Sequence, residues 1–225
     1  MKIKSAIFDM DGTLVDSLGV WKIIWKKFGE RFLGNPDFYP DEETDKLCRT
    51  QTAYEDMVYV HAKFGFAKDA DELYAIFFDI VTDFYKTKVV PKAGTIKLLD
   101  ELKANGVHLA VATASPMEWV NIALDNCDLR KYFSVILSCE EVGKNKAFPD
   151  VFIETAKRLG AEVSETAVFE DSLTALKTAK SAGFHTVGIY DENNYGADEA
   201  RVLANYYVDD GEPLTKALNV ISYFD

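Results

Sequence analysis

The chain lacks the features that disulfide-bonded and membrane-spanning proteins need. Its 3 cysteines, Cys48, Cys127 and Cys139, are odd in number and far apart, so we expect reduced thiols rather than a disulfide framework. No apolar run is long enough to cross a bilayer. The amino-terminal apolar run also meets a charge at Asp9 before a signal-length core can form. These absences predict a cytoplasmic protein with no membrane partner.

Basic side chains are scarce relative to acidic ones. The 225 residues include 25 Lys and Arg against 37 Asp and Glu, which gives a net charge of -12 at pH 7. A chain without excess cations is a poor candidate for unspecific nucleic-acid binding, because the phosphates must be neutralised. A small phosphate can still bind where a divalent cation reverses the local field. With 48% hydrophobic residues, the chain can bury the core of one large domain and a smaller one.

Two carboxylates stand one residue apart directly after the first strand-like run. This run, residues 3–8, ends at Asp9, and Asp11 follows. Where a strand ends, one of the two side chains can bind a metal ion while the other stands beside it. A helix-loop-helix calcium loop would need a bidentate Glu eleven residues after Asp9, where the chain has Val20. From this motif alone, a hairpin turn and a phospho-accepting receiver domain both stay open.

Three later strand-like runs are each followed by polar residues. The runs and the residues after them are 107–112 with Thr113, Ala114 and Ser115, 134–138 with Lys146 in the following loop, and 166–169 with Glu170 and Asp171. A hydroxyl and backbone N–H groups at a strand end suit a phosphoryl oxygen. Each residue alone has an ordinary explanation, such as a helix cap or a solvated charge. Together, at successive strand ends, they predict the ligand crevice of an open parallel α/β sheet.

Helices are predicted between these strands, which supports the α/β class. The predicted helices are 95–105, 117–125, 150–160 and 173–182, and the further strands are 186–190 and, at an edge, 206–208. The order of the motifs excludes a receiver domain, whose separate phospho-accepting Asp follows on the third strand. Here the second acidic cluster comes after Thr113 and Lys146, and a long insertion separates the first two motifs.

The inserted segment has apolar and aromatic side chains at helical spacings of three and four, which predicts a small all-α bundle. Hinges are expected near Asp16 and near Pro91. The polar stretch 34–45, with Arg49 and Gln51 just beyond it, is a candidate substrate-reading loop, and a solvated connector explains it equally well. The helical stretches are 21–32, 47–64 and 73–85.

These motifs resemble those of the haloacid dehalogenase superfamily, in its phosphatase and phosphoglucomutase-like branch, over nearly the whole chain. The similar segments are 9–17 for the first motif, 113–115 for the second and 170–172 for the fourth. Alignment on Pro149-Asp150 identifies Lys146 as the third-motif lysine. Lys144, close by, is the alternative. The family usually has Pro after that lysine, where this chain has Ala147.

The resemblance implies a Rossmann-like parallel sheet core, residues 1–17 and 91–225, with an inserted all-α helical cap, residues 18–90. It implies a phosphatase in which Asp9 attacks a small organic phosphate and becomes an aspartyl phosphate, while Asp11 acts as acid and base. Hard oxygen ligands without nearby His or Cys favour Mg²⁺ over Zn²⁺. The implied Mg²⁺ ligands are Asp9, Asp11 through its backbone carbonyl, Glu170 and Asp171, and the implied phosphate-binding residues are Thr113, Ala114, Ser115 and Lys146. A monomer is the default expectation.

The main alternative is a sugar phosphomutase of the β-phosphoglucomutase type. In such mutases a cap His stands five residues after the Asp that corresponds to Asp16, and a cap loop with Gly and Arg reads the second phosphate. This chain has Trp21 at the first position, and the Gly is missing around Arg49 and Gln51. We therefore expect hydrolysis rather than a mutase reaction. The candidate substrate-contacting residues of the cap are Asp16, Trp21, Arg49 and Gln51. A dehalogenase would not normally carry Asp11, and a non-enzymatic magnesium-binding domain is the remaining alternative.

Overall fold

A computed structural model of the chain describes residues 3–48 and 52–219. The chain divides into two compact units, of which the larger comprises Met1–Leu18 and Val89–Asp225 and the inserted unit comprises Gly19–Lys88. Within the described residues, the strands are β1 (Ser5–Phe8), β2 (Val15–Asp16), β3 (Val90–Pro91), β4 (His108–Thr113), β5 (Val135–Ser138), β6 (Thr166–Glu170), β7 (His185–Ile189) and β8 (Tyr206–Val208). The α-helices there are α1 (Val20–Phe28), α2 (Glu42–Leu47), α3 (Ala53–Phe64), α4 (Ala70–Thr87), α5 (Thr95–Ala104), α6 (Met117–Asn126), α7 (Cys139–Val142), α8 (Asp150–Leu159), α9 (Leu173–Ser181) and α10 (Ala197–Leu203). None of the helices in these described ranges has the length and apolar character needed to cross a membrane.

Six parallel strands form the sheet of the larger unit, in the order β5-β4-β1-β6-β7-β8. β1 is central, since Phe8 lies beside Val111 of β4 and beside Phe169 of β6. This register brings the carboxyl ends of these three strands to one edge of the sheet. The predicted parallel α/β sheet is confirmed, and β8 lies at its edge as expected. β2 and β3 form a separate antiparallel pair in which Val15 lies opposite Pro91.

β1 and β6 are neighbouring strands whose side chains pack in the core of the larger unit. Ile7 of β1 and Val168 of β6 are fully buried and share one cluster with Phe152 of α8. Phe8 stacks on Phe169, with ring centroids 4.3 Å apart. Burial of one such side chain stabilises the folded state by about 1.5–3 kcal/mol. Apolar packing therefore fixes the two strands up to the point where their polar ends begin.

The inserted unit has an aromatic core built from α1 and from the segment between α3 and α4. The rings of Trp25, Phe28 and Phe66 are buried, and Phe28 meets the other two with centroid distances of 6.1 and 6.0 Å. Edge contacts of this kind add about 0.5–1.5 kcal/mol each beyond the burial of the rings. Trp25 Nε1–H donates to the buried Asp45 Oδ1 at 2.7 Å, so this polar pair is satisfied. The predicted all-α character of the segment is confirmed.

The polar stretch 34–45 is not a loop along its whole length, which corrects the expectation from sequence. α2 begins after Asp41, whose side chain accepts a hydrogen bond from the Thr44 N–H at 2.9 Å. Asp at a helix N-cap, followed by acidic residues in the first turn, favours this start. Asp45 is buried against Trp25, so it belongs to the core of the inserted unit.

Candidate active site

Asp9 follows the central strand at its carboxyl end and starts a tight loop. Its N–H donates to Phe169 O of the neighbouring strand at 2.9 Å. The Met10 carbonyl closes the loop, because it accepts from the N–H groups of Leu14 and Val15 at 2.9 and 3.1 Å. The backbone on both sides of Asp9 is therefore fixed by hydrogen bonds, and so is the point from which its side chain extends.

Gly12 allows this loop to approach Asp171. Its φ of 76° lies in the left-handed region that favours glycine. A Cβ atom at this position would stand 2.5 Å from Asp171 Oδ2 and 2.7 Å from Leu18 Cδ1. Even alanine would therefore strain the backbone and displace the Asp171 carboxylate. The glycine is required by both the loop conformation and the contact.

Three buried carboxylates converge beside the loop. Asp9 follows β1, Glu170 ends β6 and Asp171 comes next, and one oxygen atom from each lies within 4.8 Å of the others. The exposed fractions of these residues are 5%, 1% and 7%. Like charges at this separation repel each other, and burial removes the water that would screen them. The arrangement therefore needs compensating positive charge.

Lys146 supplies positive charge to this cluster. Its Nζ contacts Asp9 Oδ1 and donates to Glu170 Oε2 at 2.7 Å. Lys144, the alternative third-motif lysine, pairs instead with Asp150, with an Nζ–Oδ1 distance of 2.9 Å. The structure thus brings Lys146 rather than Lys144 to Asp9.

Burial raises the pKa of all three carboxyl groups. For Asp9, the charge of Lys146 opposes this rise in pKa and the charge of Asp11 adds to it. For Glu170, burial and then the charge of Asp9 raise the pKa well above its usual range. Burial, followed by the charge of Asp9, raises the pKa of Asp171 to about 7. Burial disfavours the ammonium form of Lys146, but the charges of Asp9 and Glu170 outweigh it and raise the lysine pKa.

The donor set of the cluster suits a hard divalent cation. The three residues Asp9, Glu170 and Asp171 offer carboxylate oxygens, and this group of three contains no His or Cys. Oxygen ligands of this kind are the ones that Mg²⁺ prefers in proteins. A doubly charged cation would also offset the repulsion among three carboxylates that the one ammonium of Lys146 leaves. The residues present therefore fit Mg²⁺.

Asp11 has different surroundings from Asp9. Ser17 Oγ donates to Asp11 Oδ1 and Ser115 Oγ donates to Asp11 Oδ2, both at 2.6 Å. Asp11 is partly buried, whereas Asp9 is buried. The two carboxylates of the first motif thus have different partners. An ammonium group contacts Asp9, whereas two hydroxyl groups donate to Asp11.

The second motif lies at the end of β4. Thr113 is the last residue of the strand and is buried, and its Oγ1 accepts from the Ser115 N–H at 3.0 Å. The Ser115 carbonyl accepts from Ser138 Oγ at 2.9 Å. Ala114 is exposed. Ser115 therefore contacts the side chains of Thr113 and Asp11 with its N–H and its hydroxyl, and this contact set orients both of them.

Two side chains that orient Asp171 were not identified from the sequence. Thr13 Oγ1 donates to Asp171 Oδ1 at 2.9 Å, and Asn194 Nδ2 donates to Asp171 Oδ2 at 2.5 Å. Thr13 belongs to the first motif. Asn194 lies in the polar turn after β7, where a single asparagine gives no signal in the sequence. The turn after β7 therefore contributes to the site.

The four candidate cap residues lie in different surroundings. Asp16 is exposed and belongs to the β2–β3 pair. Trp21 lies in α1, and its ring centroid is 6.0 Å from that of Trp25. Trp21 therefore packs against the aromatic core of its own unit. Arg49 and Gln51 lie outside the described residues.

Comparison with known proteins finds relatives along most of the chain. Residues 6–189 match the family model described as haloacid dehalogenase-like hydrolase. Protein CbbY of Rhodobacter capsulatus is 31% identical over 208 residues, which cover 88% of this chain and 90% of the relative. A phosphoglycolate phosphatase of Escherichia coli is 27% identical over 213 residues, with 86% and 84% covered. The crystal structure of a β-phosphoglucomutase from Clostridium difficile has a TM-score of 0.76 at 19% identity, covering 99% of this chain and 98% of that one, and shows the fold alone.

Proposed function

The chain belongs to the haloacid dehalogenase-like hydrolase family, and from this we propose that it is a Mg²⁺-dependent phosphatase of small organic phosphate monoesters. The observation that carries the proposal is the meeting of Asp9 with Lys146, Glu170 and Asp171 at the carboxyl ends of β1 and β6. A relative named as a phosphatase of a small organic phosphate supports it. A buried carboxylate beside a largely buried ammonium is a suitable place for a phosphoryl group to be transferred.

Asp9 acts as the nucleophile. One of its carboxylate oxygens bonds to phosphorus while the bond from phosphorus to the leaving oxygen breaks, which gives an aspartyl phosphate. Asp11 donates its proton to the leaving alkoxide oxygen. Water then attacks the phosphorus and gives a proton to Asp11, while the bond from phosphorus to the Asp9 oxygen breaks. This step releases inorganic phosphate and regenerates the Asp9 carboxylate and the acid form of Asp11.

Charge stabilisation comes from the residues around the nucleophile. Lys146 neutralises negative charge on both Asp9 and the phosphoryl group, and the Thr113 hydroxyl and the Ala114 N–H bind phosphoryl oxygens. When bound, Mg²⁺ supplies the further positive charge that offsets repulsion between the anionic nucleophile and the phosphate. The residues that would hold it are Asp9, Glu170, Asp171 and, through its carbonyl, Asp11.

The inserted unit Gly19–Lys88 is a helical cap in this proposal, with hinges at β2 and β3. Closure of such a cap excludes water during phosphoryl transfer and leaves little room for a phosphoprotein. The substrate is therefore a small metabolite phosphate, such as a sugar phosphate. In this proposal a monomer stays the default and the cytoplasm stays the expected location.

Trp21 argues against the phosphomutase alternative. Its ring centroid lies 6.0 Å from that of Trp25 and 5.9 Å from that of Phe77. An indole N–H only donates a hydrogen bond and cannot exchange a proton as an imidazole does. Incubation with a hexose 1-phosphate and the corresponding bisphosphate should give free sugar or no reaction. Formation of the 6-phosphate isomer faster than hydrolysis, resolved by mass spectrometry, would overturn the choice of phosphatase.

A panel of metabolite phosphates tests the proposed function directly. The protein should release phosphate from at least one ester class in Mg²⁺ and stop when the metal is chelated. Asp9→Asn should reduce the rate to background, because an amide is a poor nucleophile. Asp79→Asn, which changes an exposed residue of α4, should keep the wild-type rate. Wild-type activity in Asp9→Asn would refute the nucleophile, and Mg²⁺ binding without turnover of any ester would favour a non-enzymatic magnesium-binding domain.

A further inference from the structure

Lys92 lies outside every motif, yet its ammonium makes three hydrogen bonds beside the site. Its Nζ donates to Gly12 O at 2.7 Å, to Tyr190 O at 2.9 Å and to Asp191 Oδ2 at 2.7 Å. An ammonium has three N–H donors, so these partners use its full capacity. The side chains of Lys92 and Asp191 are only 15% and 3% exposed. Charge-assisted bonds shielded from water in this way hold their partners firmly.

The partners of Lys92 lie in two segments that are far apart in sequence, the loop after β1 and the residues after β7. Lys92 itself follows β3, and its backbone N–H donates to Leu14 O at 3.0 Å. Thr95, the first residue of α5, donates its hydroxyl to the same carbonyl at 2.9 Å. The segment after β3 therefore donates backbone and side-chain hydrogen bonds to the loop after β1.

The part of the loop that Lys92 holds is also the part that contacts Asp171. Gly12 is the residue whose missing Cβ leaves room for Asp171 Oδ2. Thr13, the next residue, donates to Asp171 Oδ1 at 2.9 Å. A shift of the Gly12 carbonyl would therefore change both contacts of the loop with this carboxylate.

On the basis of the proposed function, we propose that Lys92 is a positioning residue. It fixes loop residues 9–15 to the end of β7 and so holds Asp171 in place for Mg²⁺. Lys92 has two effects on a cation, and they differ in sign. Its charge repels Mg²⁺, whereas its hydrogen bonds keep a Mg²⁺ ligand oriented. Loss of an orienting partner typically costs about 10–100-fold in metal affinity or activity. Removal of the ammonium should therefore weaken Mg²⁺ binding, although removal of a positive charge alone would strengthen it.

The test compares Lys92→Met with Lys97→Met, which removes an exposed lysine of α5. Mg²⁺ alone is titrated by calorimetry into chelator-treated protein that has been freed of chelator. Lys92→Met should bind Mg²⁺ about 10-fold more weakly than wild type, and Lys97→Met should bind it equally well. In the metal-free protein, hydrogen exchange should become faster at Leu14 and Val15 in Lys92→Met, with no change in β4. Lys92→Arg, which keeps the charge and the donors, should recover part of both effects.

A second variant covers the case in which Lys92→Met fails to fold because Asp191 is left buried without its cation. Lys92→Met/Asp191→Asn removes both charges and should show the same weaker Mg²⁺ binding and faster loop exchange. Unchanged or tighter Mg²⁺ binding, or unchanged exchange at Leu14 and Val15, in the folded variants would overturn the positioning role. The hydrogen-exchange measurement tests the positioning role of Lys92 whether or not wild type binds Mg²⁺.

Neither measurement needs turnover, so the two proposals fail separately. A wild-type protein that binds Mg²⁺ and hydrolyses no ester would refute the phosphatase, while the exchange and titration results would still decide the role of Lys92. In an active wild type, Lys92→Met should lower kcat at saturating Mg²⁺ and leave KM for the ester nearly unchanged, because Lys92 acts through Gly12 rather than on the substrate. A change in KM alone would contradict this.

Discussion

The aromatic core of the inserted unit and the carboxylate cluster of the larger unit bury opposite kinds of side chain. The inserted unit buries the rings of Trp25, Phe28 and Phe66, and each buried ring lowers the free energy of the folded state. The larger unit, at the carboxyl ends of β1 and β6, buries the carboxyl groups of Asp9 and Asp171, which burial disfavours in their charged form. One region is arranged for stability, and the other holds unfavourable charge in place for chemistry.

This difference predicts where a substitution acts. Changes in the aromatic core should lower the free energy of unfolding and leave metal binding and chemistry in place. Changes at the carboxylate cluster should reduce turnover far more than stability, because neutralising a buried charge can even stabilise a fold. Each of the following experiments either separates these two behaviours or shows that they are mixed.

The largest effect is expected from Asp11→Asn. An aryl phosphate has a leaving group that needs little acid, so Asp9 should still become phosphorylated, but asparagine cannot activate water for the second step. The variant should release roughly one equivalent of phenol per enzyme in a burst, then turn over about 10³-fold more slowly than wild type. Rapid acid quench should detect covalent phosphate on Asp9. If the steady-state rate is kept, or phosphorylation is lost as completely as in Asp9→Asn, Asp11 is not the acid and base.

A smaller loss of activity is expected from Lys146→Met. Removal of the ammonium that contacts Asp9 and Glu170 should lower kcat/KM by about 10²-fold, since one preorganised electrostatic donor is lost. Lys144→Met is the matched control, because that lysine pairs with Asp150 near the surface. Equal losses in the two variants would show that general positive charge, rather than contact with Asp9, is what matters.

Trp25→Phe should affect stability only. The substitution removes the indole donor and leaves the buried Asp45 without that hydrogen bond, at a cost of about 1–3 kcal/mol. For a chain of this size the expected fall in Tm is about 2–4 °C for each kcal/mol. Thermal unfolding and Mg²⁺ titration should be measured on the same sample. A weaker affinity for Mg²⁺ in this variant would mean that the two regions are energetically coupled.

A further effect on stability alone is expected from pH in the metal-free protein. The pKa of Asp171 is raised, first by burial, from 3.8 to about 7. Between these pH values the folded state keeps a proton that the unfolded state has lost, so stability should fall as pH rises through this window. Thermal unfolding in a chelator should therefore give a higher Tm at pH 5 than at pH 7.

Two controls complete this experiment. Mg²⁺ should remove most of the difference between pH 5 and pH 7, because the cation replaces the proton at the carboxylates. Asp171→Asn in chelator should show a smaller difference than wild type. A metal-free wild type that is more stable at pH 7 would contradict the raised pKa of Asp171.

The sheet and the ends of its strands could be predicted because their signals are local. β1, β4 and β6 are each a continuous apolar run that stops at a polar residue, and a strand buried on both faces requires this pattern. Asp9, Thr113 and Glu170 could therefore be placed at one edge before any contact was known. The start of α2 gave a weaker signal in the sequence. Its first turn after Asp41 consists of polar residues, and a run of polar residues is also typical of a loop.

The residues that support the site could not be predicted because their contacts are distant. Lys92 and Gly12 are 80 positions apart, and Lys92 and Asp191 are 99 apart. Asn194 reaches Asp171 from a turn. Lys92 and Asn194 are single polar residues without a neighbouring pattern, and their function arises only when the sheet brings the loops together. Sequence patterns identify elements, whereas pairings between loops depend on the completed fold.

The central position of β1 has a consequence for the order in which the protein is built. β1 leaves the ribosome before the other described strands, but its partners β4 and β6 begin at His108 and Thr166, after the whole inserted unit. Such non-local pairing forms slowly and late. Until β4 and β6 have been made, a nascent chain therefore carries Asp9 at the end of an unpaired apolar strand. A chain that stops before β6 would expose that edge to aggregation rather than work as a weak enzyme.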